Sequence, residues 1–381
     1  MTGPGAREMA ARLSSPLRDP REIDARLDAV GYLMEREPLR RDLRAALKSA
    51  PDIARAMGRL AFGRGSPRDL AAVRDGLSAA AEAARLVAGA AGIIAPPAEI
   101  AAVAGQLTST PPSLHADLTA ALIEDPPHLK RDGGFVRDGY RADLDELHRL
   151  RDDSRQVMAN LEATYAGTTG VKSLKVRHNN VFGFFVEATQ LNAKPLLAEP
   201  LSLTFRHRQT MSNAVRFTTT ELVEIEGRIA SAGERALAVE QDVFAALAAQ
   251  VMQADAALGA VAQALAAIDV MTALAELAVT DGYVRPEIDD GNGFEIRGGR
   301  HPVVEQALRA AKSGPFIEND CVLGRTAHGG QPGFDEVPEA RIWLVTGPNM
   351  AGKSTFLRQN ALIAVLAQMG SYVPAALVRM G

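Results

Sequence analysis

A single cysteine, Cys321, stands among 381 residues, so no internal disulfide can form and the expected setting is a reducing cytoplasm. Cys321 reads as a small apolar residue at a strand end. Aromatic residues make up only 5% of the chain, and with so much alanine this favours helices over an all-β architecture. No uninterrupted apolar run reaches the roughly 18 residues that span a bilayer, and no signal-type stretch opens the chain, so no membrane partner is expected. Excess charge of one sign is also missing. The net −4 excludes a uniformly nucleic-acid-coating protein but leaves local basic surfaces open. The length allows two or three domains.

Helical spacing dominates what is present. Ile23, Leu27, Val30 and Leu33 recur with that period, as do Leu39, Leu43 and Leu47. Pro38, Pro51 and Pro67 lie near segment starts, where proline is tolerated. Residues 88 to 125 are alanine-rich and cut by Pro96–Pro97 and Pro111–Pro112, and a proline- and glycine-bearing loop follows over 125 to 139. Two long helical stretches come next. Residues 141 to 165 carry Leu144, Leu147, Leu150, Val157 and Leu161 on one stripe. Residues 220 to 279 contain no proline, and Gly227, Gly233 and Gly259 are the expected points of bending or breakage. Their lengths favour an extended antiparallel arm over the alternative, a pair of core helices.

Between them, residues 171 to 217 change period. Leu174, Val176 and the run from Val181 to Val186 read as strands, with Asn179–Asn180 as a hairpin turn. A β-rich insert between outgoing and returning helices belongs at the arm's tip. It carries Lys172, Lys175, Arg177, Lys194, Arg206, Arg208 and Arg216 against Glu187 and Glu199, a local +5 in a chain of −4. Such segregation is the electrostatic footprint of phosphate-backbone binding; the alternative is a solvated basic face without a partner.

The last hundred residues form another unit. Short strands are expected at Tyr283–Pro286, Phe294–Ile296 and Phe316–Ile317, and a buried strand at Arg341–Thr346. That strand leads into Gly347, Pro348, Asn349, Met350, Ala351, Gly352, Lys353 and Ser354, followed by an apolar helix from Phe356 to Gly370. The pattern G-x-x-x-x-G-K-[ST] between strand and helix is a nucleotide phosphate loop. Its glycines let backbone N–H groups curl around phosphates at a helix N-terminus. Lys353 is expected to reach the β- and γ-phosphates and the Ser354 hydroxyl to ligate Mg²⁺. Hydrolysis also needs a metal-holding carboxylate and a water-orienting residue, which normally lie on later strands. The chain stops at Gly381, 27 residues past Ser354, so the expectation is binding without turnover.

Several stretches together resemble the MutS family of DNA mismatch-repair ATPases. Thr346 to Thr355 is similar to that family's variant of the phosphate loop, with Pro-Asn-Met inside. Arg358 to Ala361, Gly370 to Ala375 and Arg300 to Glu305 fit as well. Phe316 to Asn319 resembles the adenine-contacting strand, Arg208–Thr210 with Asn213 and Arg216–Phe217 the clamp motif. Gly5–Arg7, Pro16–Leu17 and Arg26–Val30 resemble the start of the lever region. The resemblance implies a multidomain, mainly α fold. Residues 1–167 would be the first core and lever helices, 168–219 a β-rich DNA clamp, 220–280 the returning lever helix, and 281–381 the first part of an α/β P-loop ATPase domain.

It also implies ATP and Mg²⁺ as cofactors, with Phe316 stacking on adenine and Gly347 through Thr355 around the phosphates. Arg206, Arg208, Ser212 and Asn213 become the candidate DNA-backbone contacts, which position DNA without reading its sequence. The implied partners are mismatched double-stranded DNA, a second copy of the intact protein and a downstream factor of MutL type. Against the family pattern the mismatch-reading and connector domains are absent upstream. Downstream, the second metal motif, the catalytic glutamate, the signature loop and the dimer-forming helices are missing. A piece truncated at both ends, unable by itself to recognise a mismatch or complete an ATP cycle, is therefore expected. Two other readings stay open: a non-catalytic helical DNA-binding or scaffold protein with a vestigial nucleotide loop, and a related ATPase acting on recombination intermediates or stalled ribosomes. The clamp motif disfavours the second.

Overall fold

The computed structural model describes all residues except 91, 93, 94, 153, 180–182, 325–340 and 349–351. The chain divides into two compact units, one of Met1–Gly65, Ala72–His115 and Val251–Gly381, the other of Ser66–Ala71 and Ala116–Gln250.

Helix starts follow local chemistry. Thr2 Oγ1 accepts from Gly5 N (3.0 Å) to open α1 (Gly3–Ser14), and Asp19 accepts from Arg21 N (2.9 Å) to open α2 (Pro20–Met34). Proline occupies the first turn of α3 (Glu37–Lys48) and the first position of α5 (Pro67–Ala90). Between them, Asp52 caps α4 (Ile53–Ala61) through Arg55 N. Pro97 immediately precedes α6 (Ala98–Leu107), and Pro112 begins α7 (Pro112–Ala121). The expected stripes are inside: Ile23, Leu27, Val30 and Leu33 on α2, and Leu39, Leu43 and Leu47 on α3, are all buried.

In the second unit, the single helix expected over 141 to 165 is two, α8 (Ala142–Asp152) and α9 (Ser154–Thr169). Strands β1 (Lys175–Asn179) and β2 (Gly183–Thr189), the short α10 (Gln190–Ala193), then β3 (Arg206–Thr210) and β4 (Ala214–Thr218) follow. They form an antiparallel sheet in the order β1-β2-β4-β3. Of the expected hairpin turn, Asn180 lies outside the described residues. The return is α11 (Thr220–Gln253). It runs antiparallel to α8 and α9: Tyr165 meets Thr219, while Leu147 and Leu150 share a groove with Arg235, Ala238 and Val239. The sheet's inner face, Val186, Val215 and Phe217, packs with Tyr165, Leu161 and Leu222 into one core.

Buried Glu240 on α11 closes this unit's loop region. Its carboxylate accepts from the N–H groups of Gly134 (2.8 and 2.9 Å), Phe135 (3.2 Å) and Val136 (3.3 Å).

The long stretch predicted from 220 to 279 breaks at Ala254 (φ −94°, ψ 13°), and α12 (Asp255–Asp281) continues from there. Gly227, Gly233 and Gly259 stay inside helices, so the glycines are not the break. Among the described residues α12 alone has the length and apolarity to cross a membrane, which the sequence reading did not register. Here it is a core helix around which α1, α2, α3, α4 and α6 pack.

The remaining strands are β5 (Glu287–Ile288), β6 (Phe294–Gly299), β7 (Asn319–Leu323) and β8 (Leu377–Met380), with α13 (Pro302–Ala311) between β6 and β7 and α14 (Lys353–Gln368) before β8. The sheet order is β5-β8-β6-β7, antiparallel except for the β5–β8 pair. Ile363 and Ala367 of α14 pack on Ile296, Val373 and Val378. Cys321 sits buried in the middle of β7 rather than at a strand end. Tyr283–Pro286 contributes only an isolated bridge, Val284 to Val373, and the strand expected at Phe316–Ile317 begins instead at Asn319.

Arg341–Thr346 is the clearest departure. It is neither helix nor strand, with Ile342 and Leu344 86% and 89% exposed. An apolar run becomes a strand only where neighbours take up its N–H and C=O groups, and the four strands of this sheet pair without it.

Candidate functional site

The residues of the expected phosphate loop frame the start of α14. Gly352 is its N-cap in the left-handed region (φ 84°), a conformation a side chain resists. No side chain caps the helix and no acidic residue lies in its first turn. The leading N–H groups therefore present an uncompensated positive end. Lys353 folds back so that its ammonium donates to the Gly347 carbonyl oxygen. Ser354 is exposed and Thr355 half-buried. Trp343 stacks parallel to Phe356 (centroids 6.5 Å apart, 7° between planes), which brings the segment before the loop onto the helix after it. Asn349, Met350 and Ala351 lie outside the described residues.

Phe316 is half-buried ahead of β7. The Asn319 amide donates to Ile317 O (3.0 Å) and to Gln359 Oε1 (3.3 Å), tying the Phe316 segment to α14. Gln359 and Asn360, part of the family-like segment Arg358 to Ala361 but given no role there, are buried polar residues; Gln359 Nε2 and Asn360 Oδ1 have no partner among the described residues. The far end of α14 is anchored as well. Leu17 N donates to Gln368 O (3.1 Å) and Arg26 Nη1 to Met369 O (3.1 Å).

In the second unit the basic strands do not present all seven cations equally. Lys175 is 2.6 Å from Glu162, and Glu187 holds both Arg177 and Arg216 at 3.3 Å. Burial pushes the Glu162 carboxyl up, but Lys175 and the Val176 N–H outweigh it and keep the group below the usual carboxylate range. Register sets the Glu187 pairs, because Lys175, Glu187, Arg216 and Gln209 lie opposite one another across all four strands and Arg177 is diagonal to Glu187, while Glu162 reaches Lys175 from α9. Arg216 also lies over the Phe185 ring at 4.4 Å.

Lys172, Lys194, Arg206 and Arg208 are exposed. Arg206 and Arg208 both belong to β3, an edge strand whose register shifts between His207 and Gln209. Arg208 is the bulged residue, and a bulge bends the strand and re-aims what it carries. His207 is exposed as well, its ring edge-on to Phe217 (6.2 Å, 80°). Ser212 and Asn213 are exposed at the β3–β4 corner, which Met211 N closes onto Ala214 O (2.7 Å). The four candidate contacts, Arg206, Arg208, Ser212 and Asn213, thus share one strand and its turn. Glu187 was counted against the cations, but not which arginines it holds; Glu162, reaching Lys175 from α9, was missed because it lies outside the insert.

Comparison with known proteins gives a consistent assignment. Residues 1–275 match MutS domain III and residues 343–381 match MutS domain V. The whole chain aligns with proteins named DNA mismatch repair protein MutS. It is 54% identical to those of Rhodopseudomonas palustris (strain BisB5) and Azorhizobium caulinodans, and 52% identical to that of Nitrobacter winogradskyi. The alignments cover 41%, 39% and 42% of those relatives, so the chain spans about two fifths of their length. A domain III match across most of the chain, a domain V match at its end and this identity throughout leave one assignment: the chain belongs to the MutS family.

Proposed function

We propose that this chain contributes nucleotide binding and DNA clamping to a mismatch-repair ATPase. The observation that carries the nucleotide half is the α14 N-terminus, a glycine-led start with no side-chain cap, no acidic neighbour and Lys353 beside it. A polyphosphate fits that setting. The N–H groups of the first turn would donate to phosphate oxygens, Lys353 would exchange the Gly347 carbonyl for a phosphate, and the exposed Ser354 hydroxyl would be a ligand for Mg²⁺. Phe316, tethered through Asn319 to α14, is the candidate for stacking on adenine. Bound ATP would supply the phosphoanhydride whose state the intact protein senses.

The DNA half rests on four exposed cations of the β-rich insert, two of them, Arg206 and Arg208, on the bulged edge strand of its sheet. Arg206, Arg208, Ser212 and Asn213 would hold phosphates of duplex DNA without reading bases. The names of the relatives support mismatched DNA as the substrate of the intact protein. Action as a homodimer, with a factor of MutL type downstream and in the cytoplasm, completes the proposal.

Two measurements test it on the full chain. Lys353→Ala should abolish Mg-ATP binding in calorimetry, and unaltered affinity would remove Lys353 from the phosphate site. Arg206→Ala with Arg208→Ala should reduce the slope of log K against log salt on duplex DNA by roughly two. An unchanged slope would sink the clamp.

A further inference from the structure

A second basic surface lies far along the chain from the clamp. Residues 36 to 64 carry Arg36, Arg40, Arg41, Arg44, Lys48, Arg55, Arg59 and Arg64 against Glu37, Asp42 and Asp52, a local +5 that equals the clamp's in fewer residues. Arg40 is spent internally, donating to Leu33 O, Met34 O and Glu276. The others reach solvent in an ordered way, Arg36, Arg41 and Arg55 each beside a surface carboxylate, Glu35 (3.6 Å), Asp42 (3.1 Å) and Asp52 (3.4 Å). Arg41, Arg44 and Lys48, at i, i+3 and i+7, line the side of α3 away from its buried Leu39, Leu43 and Leu47. Arg55 and Arg59, at i and i+4, do the same on α4.

The end of α4 adds an aromatic ring. Phe62 is 82% exposed, and the backbone holds it there. Arg64 N donates to Arg59 O (2.9 Å) and Gly63 N to Leu60 O (3.0 Å), with Gly63 in the left-handed region at φ 68°. These bonds make a Schellman turn, which brings together the side chains at the two positions occupied by Arg59 and Arg64 and favours an apolar pair there. Here both are arginines, beside an exposed phenyl ring. Gly65 fixes the far side, since a Cβ on it would strike Leu60. A helix C-terminus favours one cation, but that accounts neither for Arg64 beyond the end nor for an apolar ring left in water.

We infer that this surface of α3 and α4 binds single-stranded nucleic acid, with the arginines on phosphates and a base stacked on Phe62. Stacking on an exposed aromatic within a basic track is how strands are held without sequence preference. A duplex hides its base faces from such a ring, which selects the single strand.

The test uses the full chain carrying Arg206→Ala and Arg208→Ala, so that the clamp contributes little, and fluorescent oligothymidylate as the probe. Phe62 is exposed, so Phe62→Ala leaves the core intact. It should weaken binding by about five- to a hundred-fold, Phe62→Trp should retain it, and Arg64→Ala should lower the salt slope by roughly one. No binding of oligothymidylate, or equal binding by Phe62→Ala, overturns the inference. Poly-glutamate bound as tightly as oligothymidylate, with the same dependence on Phe62, also overturns it and identifies an acidic polypeptide as the ligand.

Discussion

Tyr165 Oη and Thr219 Oγ1 lie 2.6 Å apart where the four-stranded insert leaves α9 and re-enters at α11. Both residues are buried, and Thr219 also accepts from Leu222 N (2.9 Å), so one hydroxyl pair caps the returning helix and ties it to the outgoing one. Tyr165→Phe should cost the second unit about 1 kcal/mol. Thr219→Val, which also removes the cap, should cost about 2 kcal/mol in urea titrations. Equal stability of both variants and the parent would mean that the pair holds nothing.

The same phenol predicts a pH response. Burial pushes Tyr165 up to about 12 from 10.0, and Tyr283 likewise. The folded state thus keeps protons that the unfolded chain sheds near pH 10. Their contribution is complete below that pH and is lost as pH rises toward 12. Denaturation midpoints should fall across this window, and Tyr165→Phe should make the fall shallower.

Glu240 predicts a large effect from a small change. Its carboxylate is 1% exposed and accepts only N–H groups. In Glu240→Gln one oxygen becomes an NH₂ facing donors. A loss of about 2–3 kcal/mol is expected, together with faster amide exchange at Gly134 and Phe135.

Gly370 combines two constraints. It is left-handed at φ 85°, and a Cβ there would fall inside contact distance of the Arg26 side chain, the one that donates to Met369 O. Gly370→Ala should therefore destabilise by at least about 2 kcal/mol. Its thermal midpoint should fall well below that of Gly89→Ala, where nothing lies within 4 Å.

Glu187→Gln should act in the opposite sense on ligand binding. It releases Arg177 and Arg216 from their shared carboxylate. Duplex affinity at low salt should rise on the order of ten-fold, with a steeper salt slope. An affinity that stayed constant would show that neither arginine reaches a phosphate.

Much of this was readable in advance, for identifiable reasons. The stripes on α2 and α3 announce themselves because each helix buries one side against neighbours, which is what a 3.6-residue period records. The pattern at Gly347–Ser354 stands out in the sequence because it is local, and its role as a phosphate loop is part of the proposal. The break at Ala254 was not, since Gln253, Ala254 and Asp255 contain neither proline nor glycine; packing of α12 among five helices accompanies it. The apolar content of Ile342–Val345 announced burial but not a neighbour to provide it. Cross-strand pairs such as Lys175 and Glu187 depend on register, which composition does not encode. The basic stretch over 36–64 was open to counting, yet hidden inside a helical period that drew the eye to its leucines.

The position of α12 in the chain has a consequence for how the protein is made. Helices α1 to α4 and α6 are complete by Leu107, but the helix they surround begins only at Asp255. A ribosome releases them first, with their leucine faces unmatched while the whole second unit is synthesised. Its main segment, Ala116–Gln250, can fold in the interval. The first unit must wait with its centre missing, so its assembly is paced by translation, and a chain arrested before residue 281 would meet the cell as exposed apolar surface.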